Sequence, residues 1–191
     1  ITTRNLAAEL LMRLKDESVE ALLPYLYDAD PNVRKFVVDI LGVNGSQEAL
    51  SHLFELLKDP DENVVISVVE ALGNIKSESA MPTLLKAFDE IPYAQATTAE
   101  AMGKIGGVQA TDFLLARLKT MMTDPKSDPV ALYSMLEGLS LVGYDRAFEE
   151  LVGHVSHVKG KLRRILLHAI IRIGERCARS VKDADGIRVY L

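Results

Sequence analysis

At 191 residues, 48% hydrophobic and 26% charged, the chain has the make-up of a globular protein with room for a sizeable core. Aromatic residues are only 6% and Trp is absent, while Leu, Ala, Val and Ile recur in short patterned runs, which argues against sheets and for helices packed on helices. A single cysteine, Cys177, excludes an intrachain disulfide, and no run approaches the roughly 18 apolar residues that span a bilayer.

Ile1-Thr2-Thr3-Arg4 has neither the charged nor the apolar region of a signal peptide, so the expected location is cytoplasmic. The chain lacks an initiator Met and is read as a piece of a longer protein with additional domains. Its net charge of -5 conceals a division: residues 1–152 carry 13 Lys and Arg against 24 Asp and Glu, a net -11. Residues 153–191 carry 9 against 3, a net +6.

Self-similarity organises everything else. Leu26-Tyr27-Asp28-Ala29-Asp30-Pro31-Asn32-Val33 returns 31 residues later as Leu57-Lys58-Asp59-Pro60-Asp61-Glu62-Asn63-Val64. Glu70-Ala71-Leu72-Gly73-Asn74-Ile75 returns 30 residues later as Glu100-Ala101-Met102-Gly103-Lys104-Ile105. Extending that register gives an acidic column, Glu9, Asp39, Glu70, Glu100 and Glu137, ending in His168. Two places on lies an apolar column, Leu11, Leu41, Leu72, Met102, Leu139 and Ile170, followed by a small-residue column, Gly42, Gly73, Gly103 and Ser140.

Taken in order, residues 1–15 form a half repeat, because matching Arg4 to Arg34 puts Ile1 where Pro31 falls, at the start of a second helix. Such a helix would expose Leu6, Leu10 and Leu14 unless something upstream covered them. Full repeats are expected at 16–45, 46–76, 77–106, 107–143 and 144–180, one array within 1–185, with 186–191 a tail or the start of a following segment. Each repeat divides into two helical patterns, the first illustrated by Ala49, Leu50, Leu53, Phe54, Leu56 and Leu57 at amphipathic spacing. Asp-x-Asp breaks with Pro31 or Pro60 predict second helices started by an Asp cap or an early Pro. Gly45, Gly106 and Gly143 are expected to close second helices, at places where a left-handed residue would be tolerated. The stretch 121–129 reads as a longer loop between helices.

Val33-Arg34 with Val37-Val38-Asp39-Ile40-Leu41-Gly42, and above all Ala99-Glu100-Ala101-Met102-Gly103-Lys104-Ile105-Gly106, resemble the HEAT-like repeats of about thirty residues that include the phycobilin-lyase type. The resemblance implies an all-α, right-handed α-α superhelix, a solenoid of antiparallel helix pairs. Because that family spans scaffolds, adaptors, lyase subunits and fused signalling modules, fold alone leaves function open. What it implies is an armadillo-like protein-binding scaffold of the kind found in bacterial regulatory proteins, with a chromophore-lyase-type enzyme subunit as the alternative.

Second helices line the inner side of such arrays, and residues four apart share a helix face. The ridge then reads Asn5-Glu9-Arg13, Lys35-Asp39-Val43, Ile66-Glu70-Asn74, Ala96-Glu100-Lys104, Tyr133-Glu137-Leu141 and Arg164-His168-Arg172. With neighbouring helices on the order of 10 Å apart, it suits a protein or peptide with basic and apolar residues. Asp39, Ile66, Glu70, Glu100, Tyr133 and Glu137 are the candidate contacts, set against a plain solvated face.

The basic end, from Lys159 to Lys182 and including Arg163, Arg164, Arg172, Arg176 and Arg179, offers an alternative anion or nucleic-acid site at Arg163, Arg164 and Arg172. Acidity elsewhere and the lack of clustered aromatics weigh against nucleic acid. His154, His157 and His168 fall short of a metal motif, and Cys177 beside Arg176 and Arg179 has no further support as a reactive thiol. There is no phosphate-binding loop, dinucleotide fingerprint or nucleophile elbow, and the carboxylates do not converge. The expectation is a non-catalytic scaffold without a cofactor.

Overall fold

A computed structural model describes residues 16–124, 127–143 and 145–177, and no strand occurs among them. The half repeat at 1–15, with Arg4, Glu9, Leu6, Leu10 and Leu14, lies outside the described residues, as do Arg179, Lys182 and the tail at 186–191. The helices are α1 (Asp16–Leu22), α2 (Pro31–Asn44), α3 (Leu50–Leu56), α4 (Glu62–Ile75), α5 (Met81–Glu90) and α6 (Gln95–Ile105). They continue with α7 (Gly107–Thr123), α8 (Pro129–Val142), α9 (Asp145–His154) and α10 (Gly160–Arg176). Short 3-10 turns precede α3, α5, α6 and α10, and another follows α1.

The Asp-rich breaks act as the sequence suggests. Asp30 accepts the Asn32 amide at the start of α2, and Asp61 accepts the Asn63 and Val64 amides at the start of α4. Asp128 accepts the Val130 and Ala131 amides at the start of α8. Each cap satisfies amides that would otherwise be orphaned, and Pro31 and Pro129 occupy first-turn positions where a missing N–H costs nothing.

The chain divides into two compact units, one up to Ala101 and one from Met102. In the first, Val37, Val38, Ile40 and Leu41 of α2 are buried, as are Val64, Val65, Val68, Val69 and Leu72 of α4, with Leu53, Leu84 and Phe88 from the first helices. In the second, Met102, Leu114, Leu118, Met135, Leu136, Leu139, Ile170 and Ile173 are buried. The apolar column Leu41, Leu72, Met102, Leu139 and Ile170 is fully buried throughout, so the sequence register is the packing register.

The small-residue column marks where second helices touch. A Cβ on Gly42 would lie 2.7 Å from the Cα of Ala71, and one on Gly73 would lie 2.7 Å from the Cα of Ala101. In the second unit a Cβ on Gly103 would lie 2.6 Å from the Cα of Gly138. Each glycine meets the residue one place after the acidic column of the next repeat, backbone against backbone.

Two expectations need correction. Gly45 is left-handed at φ 72, and Gly106 has positive φ, but Gly143 closes α8 at φ -53. Glycine at 143 answers to space instead: a Cβ there would lie 2.7 Å from both Ile173 Cδ1 and the Leu139 carbonyl oxygen. The left-handed place after α4 is held by Lys76, at φ 55. The stretch 121–129 is also not all loop, since α7 runs on to Thr123 and takes Met121, Met122 and Thr123 as further helix before the Asp128 cap.

Gly73→Ala is expected to destabilise the chain by about 1–3 kcal/mol through overpacking, seen as a lower urea midpoint at unchanged slope; unchanged or higher stability would refute the close-approach account. Lys76→Gly relieves a left-handed side-chain residue and should raise stability by about 1 kcal/mol, read as a higher urea midpoint at unchanged slope.

Candidate binding surfaces on the second helices

The acidic column takes a different form in each unit. In the first, Glu70 is exposed and has no hydrogen bond or ion pair among the described residues, and Glu100 is exposed on α6. Asp39 is half-buried and 2.9 Å from Lys35 Nζ one turn back, and Ile66 is half-buried beside Glu70. Between α2 and α4 lies an open groove of about 230 Å³ lined by Lys35, Asp39, Val43, Ser67, Glu70 and Asn74. Val43 is 60% exposed there, an apolar group without cover on an otherwise polar rim.

In the second unit the column is engaged internally. Glu137 is half-buried, 3.5 Å from Arg172 Nη1 and 3.8 Å from His168 Nδ1. Arg172 also donates to Ser140 Oγ at 3.1 Å. Arg176 donates to the Ser140 carbonyl at 2.8 Å and to the Leu141 carbonyl, so α10 supplies donors to the unpaired carbonyls that end α8. Of the three proposed anion ligands, Arg172 is therefore turned onto α8 and Arg163 is half-buried, while Arg164 stands exposed. Tyr133 and Leu141 are exposed on α8.

His154 uses Nδ1 on the Glu150 carbonyl at 2.7 Å, and His157 is exposed on a 3-10 turn. Among the described residues no three His, Cys, Asp or Glu side chains come together as a metal site requires. Cys177 is partly exposed, and its amide closes the last turn of α10 on the Ile173 carbonyl at 2.9 Å. No described helix is long and apolar enough to cross a membrane.

Sequence reasoning singled out Arg34 as a recurring position but missed its partner. Arg34 Nε and Nη2 each donate to a carboxylate oxygen of Asp59 at 2.7 Å, a paired geometry that holds the start of α2 to the turn of the next repeat. Its Nη1 donates to the Asp28 carbonyl at 2.8 Å, and Asp59 also accepts the Asp61 amide. The signal was the Asp28 and Asp59 match in the repeated octet, which reads as turn chemistry until the fold brings the Arg across. Burial pushes the Asp59 carboxyl up, but the Arg34 hydrogen bonds, the Asp61 amide and the Arg34 charge outweigh it and hold the pKa below the usual value. A second tie joins Lys119, Glu150, Arg146 and Asp112; the Lys119 hydrogen bond leads in lowering the Glu150 pKa, against burial.

Stacked, Asp-capped helix pairs with a buried apolar column and glycine contacts define an all-α solenoid of repeated helix hairpins. A family model for HEAT repeats matches it three times in overlapping stretches, at residues 2–68, 19–94 and 56–122, which together cover more than half its length. The chain belongs to the HEAT-repeat family. No curated protein matches it.

Asp59→Ala removes one partner of a nearly buried ion pair, and should cost about 3 kcal/mol in chemical denaturation. Because the Asp59 and Glu150 carboxyls are more acidic folded than unfolded, their contribution is complete above the unfolded pKa of about 4 and is lost as pH falls through the folded values. Urea midpoints for the parent should therefore drop below about pH 4, and the Asp59→Ala variant should show a shallower drop.

Proposed function

We propose that the chain is a non-catalytic scaffold that holds a protein segment carrying basic and apolar residues on the second helices of the first unit. HEAT repeats generally mediate protein–protein interaction, and scaffolds built from them are typically non-enzymatic. The observation that carries the finer reading is the groove between α2 and α4, where the exposed Glu70 carboxylate has no ion-pair partner among the described residues and Val43 is uncovered. A lysine or arginine of a partner would meet Glu70 there, and an apolar side chain would cover Val43. Asp39, Ile66 and Glu100 extend the same surface.

The helices that form this groove are set by the Gly42 and Ala71 contact, so the surface is preorganised and its own ordering adds little to the entropy cost of binding. Tyr133 and Glu137, the other two contacts, have weaker support for a basic partner, because Arg172 and His168 already face Glu137. A nucleic-acid partner at Arg163, Arg164 and Arg172 has less support again, since Arg172 is committed to α8. Multi-phosphate binding needs several available cations together.

The test compares this chain with its Glu70→Lys/Glu100→Lys variant, both confirmed folded by circular dichroism, in affinity capture from nuclease-treated source lysate. The captured protein is then purified and titrated against each. Binding by the parent that falls at least about tenfold in the variant supports the ridge; equal binding by both overturns it.

A further inference from the structure

An open groove in the second unit shares no lining residue with the groove on α2 and α4 and has the opposite electrostatic character. It runs between the N-terminal halves of α8 and α10 with a volume of about 540 Å³, a size at which ligand sites are normally found. Its floor is apolar: Val130, Leu132 and Tyr133 come from α8, and Leu162 and Ile165 come from α10. Val130 is 60% exposed and Tyr133 43%. Uncovered large apolar side chains gathered in one groove mark a surface that gains by being covered.

The rim is basic. Lys161 lines the groove, Lys159 and Arg164 flank it in sequence, and all three are exposed. None of the three has a hydrogen bond or ion pair among the described residues. This separates them from Arg172 and Arg176, which are committed to the C-terminal end of α8. Of the acids on α8 and its cap, Glu137 faces Arg172 and His168, and Asp128 is held on the Val130 and Ala131 amides. The first turn of α10 carries no acidic residue.

We infer that this groove takes an acidic amphipathic helix of a partner protein, with apolar side chains on the Val130, Tyr133, Leu162 and Ile165 floor and carboxylates on Lys161 and its neighbours. The floor is too extensive for a bare phosphate, and a segment with apolar anchors one helical turn apart would cover it. A nucleic-acid strand is disfavoured, because Tyr133 is the only aromatic lining the groove and stacking would use several. The site is independent of the ridge on α2 and α4 and asks for a partner of opposite charge.

The test is fluorescence anisotropy with the full 191-residue chain and three labelled synthetic peptides. The first has leucines at i, i+3, i+4 and i+7 with Asp and Glu at most other places; the second has those leucines replaced by Ala; the third keeps the leucines and replaces the acids by Lys. The first peptide should bind, and Tyr133→Ala and Lys161→Glu should each weaken it by about tenfold or more. Both substitutions are at exposed positions, and circular dichroism checks that each variant folds. Glu70→Lys should leave this binding unchanged, which separates the result from the fate of the ridge proposal. The inference is overturned if the Ala or the Lys peptide binds as well as the first, if the first does not bind, or if neither variant weakens it. Displacement of the first peptide by single-stranded oligonucleotide or by phosphatidylserine vesicles, at concentrations where neutral vesicles do nothing, would assign the groove to nucleic acid or membrane instead and equally overturn it.

Discussion

Backbone-to-backbone contact between successive second helices is the constraint on which the rest depends. Where Gly42 meets Ala71, Gly73 meets Ala101 and Gly103 meets Gly138, there is no room for another methyl group. Helices held this close present their next residues, at a spacing fixed by the main chain and not by flexible side chains. The groove on α2 and α4 lies between two helices held in this way. Where the small-residue column gives way to Ser140, its hydroxyl turns back to the Glu137 carbonyl and accepts Arg172. The contact with α10 there is polar, and the basic residues of α10 are drawn inward by it.

Charge is used in two ways that a sum over the chain would merge. Some charged groups fasten one repeat to the next: Arg34 on Asp59, Lys119 on Glu150, Arg146 on Asp112, Arg172 on Glu137. Arg34 and Asp59 are well shielded and paired through two hydrogen bonds, the geometry in which an ion pair is specific and costly to break from one side. Others, Glu70 in the first unit and Lys161 and Arg164 in the second, are exposed and have no partner among the described residues. The distinction matters for function because only charges of the second kind are available to a binding partner without first losing an internal one.

The helix pairs, their register and their buried column were legible in the primary structure because they repeat. Period, Asp caps and small residues recur at matched places, and every recurrence is a local matter of propensity, capping or helix face. Leu41, Leu72, Met102, Leu139 and Ile170 could be aligned without coordinates, and all are buried. Departures from the template were less legible. Lys76 in a left-handed cap, Gly143 retained for space, and Met121 to Thr123 absorbed into helix depend on what each position meets across the fold.

The sequence by itself determined that this is a HEAT-type array of helix pairs, where its core lies, and that its acidic and basic residues are segregated along the chain, since all three follow from periodicity and composition. Only the tertiary structure decided which of those charges are available. Glu70 and Glu137 hold equivalent places in the repeat, yet one is exposed without a partner among the described residues and the other faces Arg172. Arg164 and Arg172 share a helix face, yet one is exposed and the other is committed to α8. The reason is physical: an ion pair or a groove between repeats joins residues some thirty positions apart, and which long side chain reaches which partner is settled by how closely the helices approach.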